Sequence, residues 1–189
     1  QRLTETTDDE VLLVAHSSGC IMAVCILARA CQLLKALPPG DGLAKRRLSL
    51  MTLGQCIPLL AELPHAHRFR AELTLLGQTQ WIDWIDFSAP PDACCFALCN
   101  PLAKIDDAAI NPPKMLSPRF AQMFDAARYQ ALRKDKLQMH FQYLMAHERV
   151  LDYDYFLITA GDQLLKNRFA HAPSVTDFSA LHPFRWKKR

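Results

Sequence analysis

A chain of 189 residues, half of them hydrophobic and 22% charged, suits one ordinary globular domain and is too apolar for a disordered one. Its 6 glycines and lack of any short period exclude collagen-like, low-complexity and coiled-coil chains. A net charge of +3 does not call for nucleic acid as a partner, and the one basic run, Arg185 with Lys187, Lys188 and Arg189, reads as a solvated tail.

The sequence opens on Gln1 and a short polar stretch, Thr4 to Glu10, with no basic-then-apolar signal segment. A piece of a longer protein, or a chain trimmed at its front, is therefore expected. Val11 to Ala15 is a fully apolar run of the kind found in a strand buried on both faces of a parallel sheet. From Ser18 to about Leu37 the composition predicts a mostly buried helix, closed by Pro38-Pro39-Gly40. After a polar turn from Asp41, Leu48 to Leu53 is a second predicted strand, ending at Gly54. Strand, helix and strand in this order predict a crossover unit in a parallel sheet.

His65 to Leu76 reads as a helix leading to Gly77, and Trp81 to Phe87 as a third strand ending in the loop Ser88-Ala89-Pro90-Pro91-Asp92. The Pro-interrupted stretch from there to Pro118 is too long for a mere connection and is expected to be a functional loop or flap. Phe120 to His147 is predicted helical, broken or continuous, and Tyr153 to Thr159 a fourth strand stopped by Gly161. The expected fold class is α/β, a mainly parallel sheet flanked by helices, in a single domain over residues 1–189. No apolar run reaches the ~18 residues of a spanning helix, the closest, Val11 to Leu34, being interrupted from His16 to Gly19.

Seven cysteines, Cys20, Cys25, Cys31, Cys56, Cys94, Cys95 and Cys99, lie in apolar surroundings. An odd number in a chain with this much aliphatic core reads as reduced, buried thiols, which favours the cytoplasm over an oxidising compartment. Cys94-Cys95 with Cys99 has no facing Cys-x-x-Cys pair and no histidine at ligand spacing, so no metal is expected.

The chemistry-bearing motif is Ala15-His16-Ser17-Ser18-Gly19, set between the first strand and the first helix. A nucleophile elbow, Gly-x-Ser-x-Gly, needs that context because its serine occupies a sharp, strained strand-to-helix turn. Ala15 replaces the first glycine, and small residues two before and two after the serine let strand and helix pass closely. Ser17 would stand exposed at the strand end, and the Ser18 backbone N–H would be one oxyanion-hole donor. The bland alternative is a helix N-cap by Ser17 or Ser18 with His16 merely packed.

With these residues the sequence resembles the α/β-hydrolase superfamily, and Val11 to Gly19 looks like the elbow of its lipases and esterases. Leu48 to Gly54 looks like the next sheet strand, Asp86 to Asp92 like the strand-end loop that supplies the triad acid, and His140-Phe-Gln-Tyr143 is similar to the His-containing segment of fungal-type lipases. The resemblance spans residues 11 to 160, with the elbow as its specific part. It implies that the early strands and the loop carrying the second oxyanion donor precede residue 1, leaving the C-terminal part of the core in this chain.

Ser-Asp-His order asks for a carboxylate after Ser17 and before the histidine. Asp83, Asp86 and Asp92 compete; Asp92, behind two prolines and before apolar Cys94, Cys95 and Phe96, is preferred, and Asp86 is the alternative. A simple turn cap is the plainer role for Asp92. Among the histidines, His16 sits inside the elbow with its ring expected to point away from the nucleophile, and His65 and His67 precede the acid. His140, His147, His171 and His182 remain. His140, among Met139, Phe141, Tyr143 and Leu144, is chosen as base; His182, between Leu181 and Pro183, is the alternative because a hydrolase base usually follows the last core strand, whereas the strand expected at Tyr153 comes after His140. A packed core residue is the plainer reading of His140.

The function expected is a serine hydrolase acting on a small-molecule or lipid-like carboxylic ester through Ser17, His140 and Asp92, with no cofactor and no metal. Ile110, Met115, Leu116, Phe120, Met123 and Phe124 are expected either to line a greasy acyl pocket or to serve as core. The alternatives are a catalytically inactive hydrolase-like domain that binds a partner or a membrane surface, with membrane contact open through the segment before residue 1, and an unrelated doubly wound domain in which Ser17 only caps a helix.

Overall fold

The computed structural model describes residues 8–35, 47–103, 105 and 110–175. Glu10–His16, apolar from Val11 to Ala15, forms strand β1 and leads into helix α1, Gly19–Lys35. β2 is Arg47–Leu53, followed by the short α2, Ile57–Ala61, and by α3, His67–Gly77. β3 is Ile82–Phe87 and β4 the three-residue Lys114–Leu116. Then come α4 (Phe120–Met123), α5 (Ala126–Lys134), α6 (Lys136–Phe141), a 3-10 turn (Gln142–Leu144), α7 (Tyr155–Ala160) and α8 (Leu165–Arg168). The four strands make one sheet in the order β1-β2-β3-β4, every neighbouring pair parallel. The protein is thus of the α/β class. The expected end of the first helix near Leu37, its Pro38-Pro39-Gly40 stop and the basic tail at Arg185 to Arg189 lie outside the described residues.

Alternation along the strands sends side chains to two cores. Leu48, Leu50, Ile82 and Trp84 face α1, α2 and α3, packing on Val24, Leu27, Ile57, Phe69 and Leu73. Met51, Leu53, Ile85 and Phe87 face the other way, onto Phe120, Met123, Leu132, Met139, Tyr143 and Ile158 from the helices after β4. Among the described residues no helix is long and apolar enough to cross a membrane.

The strand expected at Tyr153 to Thr159 is instead helix α7. The Asp154 side chain caps it, accepting from Leu157 N at 2.9 Å, and the Tyr153 hydroxyl is spent on Tyr143 O at 2.7 Å. Phe156 and Leu157 remain exposed, as two positions on the outer side of a helix do and as neighbours in a strand buried on both faces cannot. The fourth strand is β4, which the flanking Pro112-Pro113 and Pro118 disguise in sequence. Beyond it Met115 N donates to Ser174 Oγ (2.9 Å) and Val175 N to Met115 O (2.9 Å), so the outer edge of β4 is partly covered by the chain itself. Leu116, Phe120, Met123 and Phe124 are buried in the core on that side, Met115 is buried in β4, and Ile110 packs on the opposite core, so of the two roles open to these residues they fill the interior.

One carboxyl of this sheet is fully buried. Asp86, fully buried near the end of β3, accepts from Thr52 Oγ1 and from Ser88 Oγ, each at 2.7 Å. Trp84 Nε1 donates to Thr52 Oγ1 (3.1 Å) and Leu98 N to Ser88 Oγ (2.8 Å), so the carboxyl ties β2, β3 and the following loop together. Burial pushes its pKa up to about 7 against the two hydroxyl donors, which oppose the rise. Near pH 5 the folded protein therefore holds a proton here that the unfolded chain has lost. The stability this group supports is present below the unfolded carboxyl value near 4 and drains away as pH rises to about 7. Urea unfolding across this range should show Asp86→Asn gaining on the wild type as pH rises, by at most roughly 4 kcal/mol in total. A difference that does not change with pH would contradict this protonation.

Candidate active site

The parallel strands all end on one side of the sheet, and the ladder runs one residue past three of them. Ser17 N donates to Leu53 O (3.0 Å), Gly54 N to Phe87 O (2.8 Å) and Ser88 N to Leu116 O (3.1 Å). Each turn is thus tied to the last residue of the neighbouring strand.

Ser17 sits in that row with φ 57°, the left-handed region, which costs a non-glycine residue about 1–2 kcal/mol. Cys20 N closes the turn on Ser17 O at 3.1 Å. The serine is half-buried, and its hydroxyl bonds to no helix N–H among the described residues, unlike a capping serine. Ser18 is exposed and its N–H has no acceptor among the described residues. Ala15 is buried as expected, but a Cβ on Gly19 would meet nothing within 4 Å, so tight passage of strand and helix does not demand this glycine.

Asp92 lies in the loop after β3, 2% exposed, held by an N–H to its Ala89 carbonyl (2.9 Å). Three donors converge on its carboxylate: His140 Nδ1 at 2.8 Å and Tyr143 Oη at 3.1 Å on one oxygen, Cys94 N at 2.9 Å on the other. Since a carboxylate accepts, Nδ1 carries the proton and Nε2 is left as the imidazole's acceptor when the ring is neutral. His140 is 5% exposed, near the end of α6, whose start Asp135 caps through Gln138 N (2.9 Å). Its Nε2 has no hydrogen-bond partner among the described residues, and no hydrogen bond joins it to the Ser17 hydroxyl.

Asp86, by contrast, meets only the hydroxyls of Thr52 and Ser88 and no histidine, and Asp83 pairs with Lys166 at 2.8 Å. Asp92 is the one of the three that meets an imidazole. His182 lies outside the described residues. His147 packs against Phe120 and Phe124 with both ring nitrogens buried and unpaired, and burial lowers its pKa.

Two residues matter here beyond their expected parts. His16 Nε2 donates to the His140 carbonyl at 2.8 Å, and the two rings lie 4.6 Å apart. The residue before Ser17 thereby locks the backbone of His140, and burial lowers the His16 pKa, favouring the neutral ring. Tyr143, read from sequence only as an apolar neighbour, uses its hydroxyl twice, donating to Asp92 and accepting from Ala89 N at 2.8 Å. Both partners lie about fifty residues away in the chain, so no local spacing could have signalled them.

A cavity of about 840 Å³ opens on the β4 side, lined among others by Phe87, Pro90, Leu116, Arg119 and Tyr153, and takes in none of Ser17, Asp92 or His140. Asp92, Cys94 and His140 offer one ligand-type atom each, all within 4.8 Å of one another. The fold thus supplies the histidine that the spacing of Cys94, Cys95 and Cys99 lacks. Comparison with protein-family models, with curated proteins and with solved structures finds no match in any of the three.

Gly54 gives the site a mechanical test. Its φ is +51°, and a Cβ there would stand 2.8 Å from the Tyr143 ring and 3.1 Å from Asp92 Oδ2. Tyr143 is fully buried and has no room to retreat. Gly54→Ala should lose about 3 kcal/mol in denaturant unfolding, from backbone strain and overpacking together. Tyr143→Phe should lose about 1–3 kcal/mol, mostly by stranding Ala89 N. A Gly54→Ala protein as stable as the wild type would mean that Tyr143 and Asp92 are not held as described.

Proposed function

We propose that this protein is a serine hydrolase of the α/β-hydrolase kind, cleaving carboxylic esters with Ser17 as nucleophile, His140 as base and Asp92 as the acid that orients it. The observation that carries the reading is the buried 2.8 Å bond between His140 Nδ1 and Asp92, next to the strained turn of Ser17 through the His16–His140 contact. The chain order supports it: Ser17 follows β1, Asp92 follows β3 and His140 comes after β4. That is the Ser-Asp-His order of the superfamily.

In this reading the Ser17 hydroxyl attacks the ester carbonyl while its proton passes to His140 Nε2. The imidazolium formed is stabilised by Asp92 through the Nδ1–H bond, and the Ser18 N–H faces the oxyanion. His140 returns the proton to the leaving alcohol, which departs and leaves an acyl group on Ser17. Water, deprotonated by the same imidazole, then releases the acid and restores Ser17. Phe141, partly exposed with its ring 5.4 Å from that of His16, places an apolar edge beside the histidine and supports an ester with an apolar acyl group.

A second reading is a hydrolase-like domain that binds without turnover, favoured by the absence of a Ser17–His140 hydrogen bond among the described residues. Such bonds are often long in ligand-free sites and tighten when substrate binds, so the enzyme is preferred. A fluorophosphonate probe and a short-chain p-nitrophenyl ester separate the two. Wild type should be labelled on Ser17 and should turn over the ester. Ser17→Ala should lose both while unfolding at the same denaturant concentration, and His140→Ala and Asp92→Ala should each lower turnover by about 10³-fold or more. An unlabelled, inactive wild type would favour the binding domain, and turnover retained by Ser17→Ala would overturn the assigned nucleophile.

A further inference from the structure

We propose that Asp92, Cys94 and His140 also form an inhibitory site for a divalent cation such as Zn²⁺, which would switch off the hydrolase chemistry by taking the place of the proton on His140 Nδ1 that Asp92 holds. The inference rests on the proposed function for its consequence, but not for the binding itself.

The donor set is the first ground. Thiolate, imidazole and carboxylate are the ligands that bind Zn²⁺ at about 2.0–2.3 Å, and three of them with a water complete its preferred tetrahedron. Around such an ion neighbouring ligand atoms stand roughly 3.3–3.7 Å apart. Here the three atoms already lie within 4.8 Å of one another, and His140 Nδ1 and Asp92 Oδ2 are at 2.8 Å. Opening that pair by about half an ångström and turning the Cys94 side chain inward gives the tetrahedral edges.

Access is the second ground. Of the seven cysteines only Cys94 is exposed, and no disulfide engages any of them. The other six thiols are buried or only partly exposed. Cys94 therefore offers the approach from solvent toward a histidine and an aspartate that are otherwise enclosed. The surrounding bonds persist when the ion is bound: Tyr143 Oη still donates to the Asp92 carboxylate and Cys94 N to its other oxygen. These are the supporting contacts a metal-binding carboxylate needs.

The exchange balances without any oxidant or reductant. The cation displaces the proton on Nδ1 and the proton on the Cys94 sulfur, both of which go to solvent, and gains bonds to nitrogen, sulfur and one carboxylate oxygen. With Nδ1 metal-bound, Asp92 no longer accepts a proton-mediated bond, and the ring beside the cation cannot take up the Ser17 proton without placing two positive charges together.

The test uses reduced, metal-free protein. Zn²⁺ binding is read by competition with a chromogenic chelator, and Co²⁺ is added as a spectroscopic stand-in. Wild type should bind one Zn²⁺ per chain, and its Co²⁺ form should show a thiolate-to-cobalt charge-transfer band in the near ultraviolet. Cys94→Ala and Cys94→Ser should lose the band and most of the affinity, and far-ultraviolet circular dichroism checks that both are folded. Ester turnover, measured for each protein against its own metal-free rate, should fall with Zn²⁺ in the wild type, recover with EDTA, and resist Zn²⁺ in the Cys94 variants. No stoichiometric binding, a cobalt spectrum without the band, or variants that bind like the wild type would overturn the site. Protein that binds cobalt through Cys94 but cleaves no ester would uphold the metal site and refute the hydrolase; cleavage without binding would do the reverse.

Discussion

The last rung of the parallel ladder governs the rest of the molecule. Ser17, Gly54 and Ser88 each donate their N–H to the final residue of the neighbouring strand, so three turns stand in fixed succession along one side of the sheet. Parallel strands carry all their following loops to that side, which is where α/β proteins place their chemistry. The same rung imposes the strain. Two adjacent turns pass through left-handed backbone, at Ser17 and at Gly54, and only the second uses glycine. Leu98 and Arg119 are the other non-glycine residues described in that conformation.

Two carboxyls six residues apart then divide the work by environment. Asp86 is sealed in the sheet with hydroxyl donors only, so burial wins and holds its proton to about pH 7. Asp92 instead accepts from an imidazole, a phenol and a main-chain N–H. Asp86 supports Asp92 without touching it: Ser88 Oγ, bonded to Asp86, also receives Leu98 N and so anchors the far end of the loop in which Asp92 lies. Leu98 itself adopts φ 53°, which that bond helps to hold.

Local pattern made much of this legible. Three apolar runs became β1, β2 and β3, and Asp92 and His140, singled out together through the order that the hydrolase resemblance implies, meet in the structure. The fourth strand was not legible, because its three residues sit among prolines and owe their extension to pairing with β3. Tyr153 to Thr159 carries the aromatic and β-branched residues of a strand, yet Asp154 caps it as a helix and Tyr153 is anchored on Tyr143. Intrinsic preference lost there to tertiary contact. The second use of the Tyr143 hydroxyl and the lock of His16 on His140 join residues 54 and 124 positions apart, beyond the reach of any local pattern.

The misplaced strand also bears on which histidine acts. Placing the last strand at Tyr153 put His140 before it, contrary to the order expected of a hydrolase base. With β4 at Lys114–Leu116, His140 follows the last strand of the described sheet and that objection falls away. His147 supplies the contrast. Both of its nitrogens are buried among aromatic rings, with no hydrogen-bond partner among the described residues. His140 has one nitrogen committed to a buried carboxylate and the other without a partner among the described residues, its backbone fastened by the residue that precedes Ser17. Under the proposed function, that second attachment is what would hold the free nitrogen in a fixed direction.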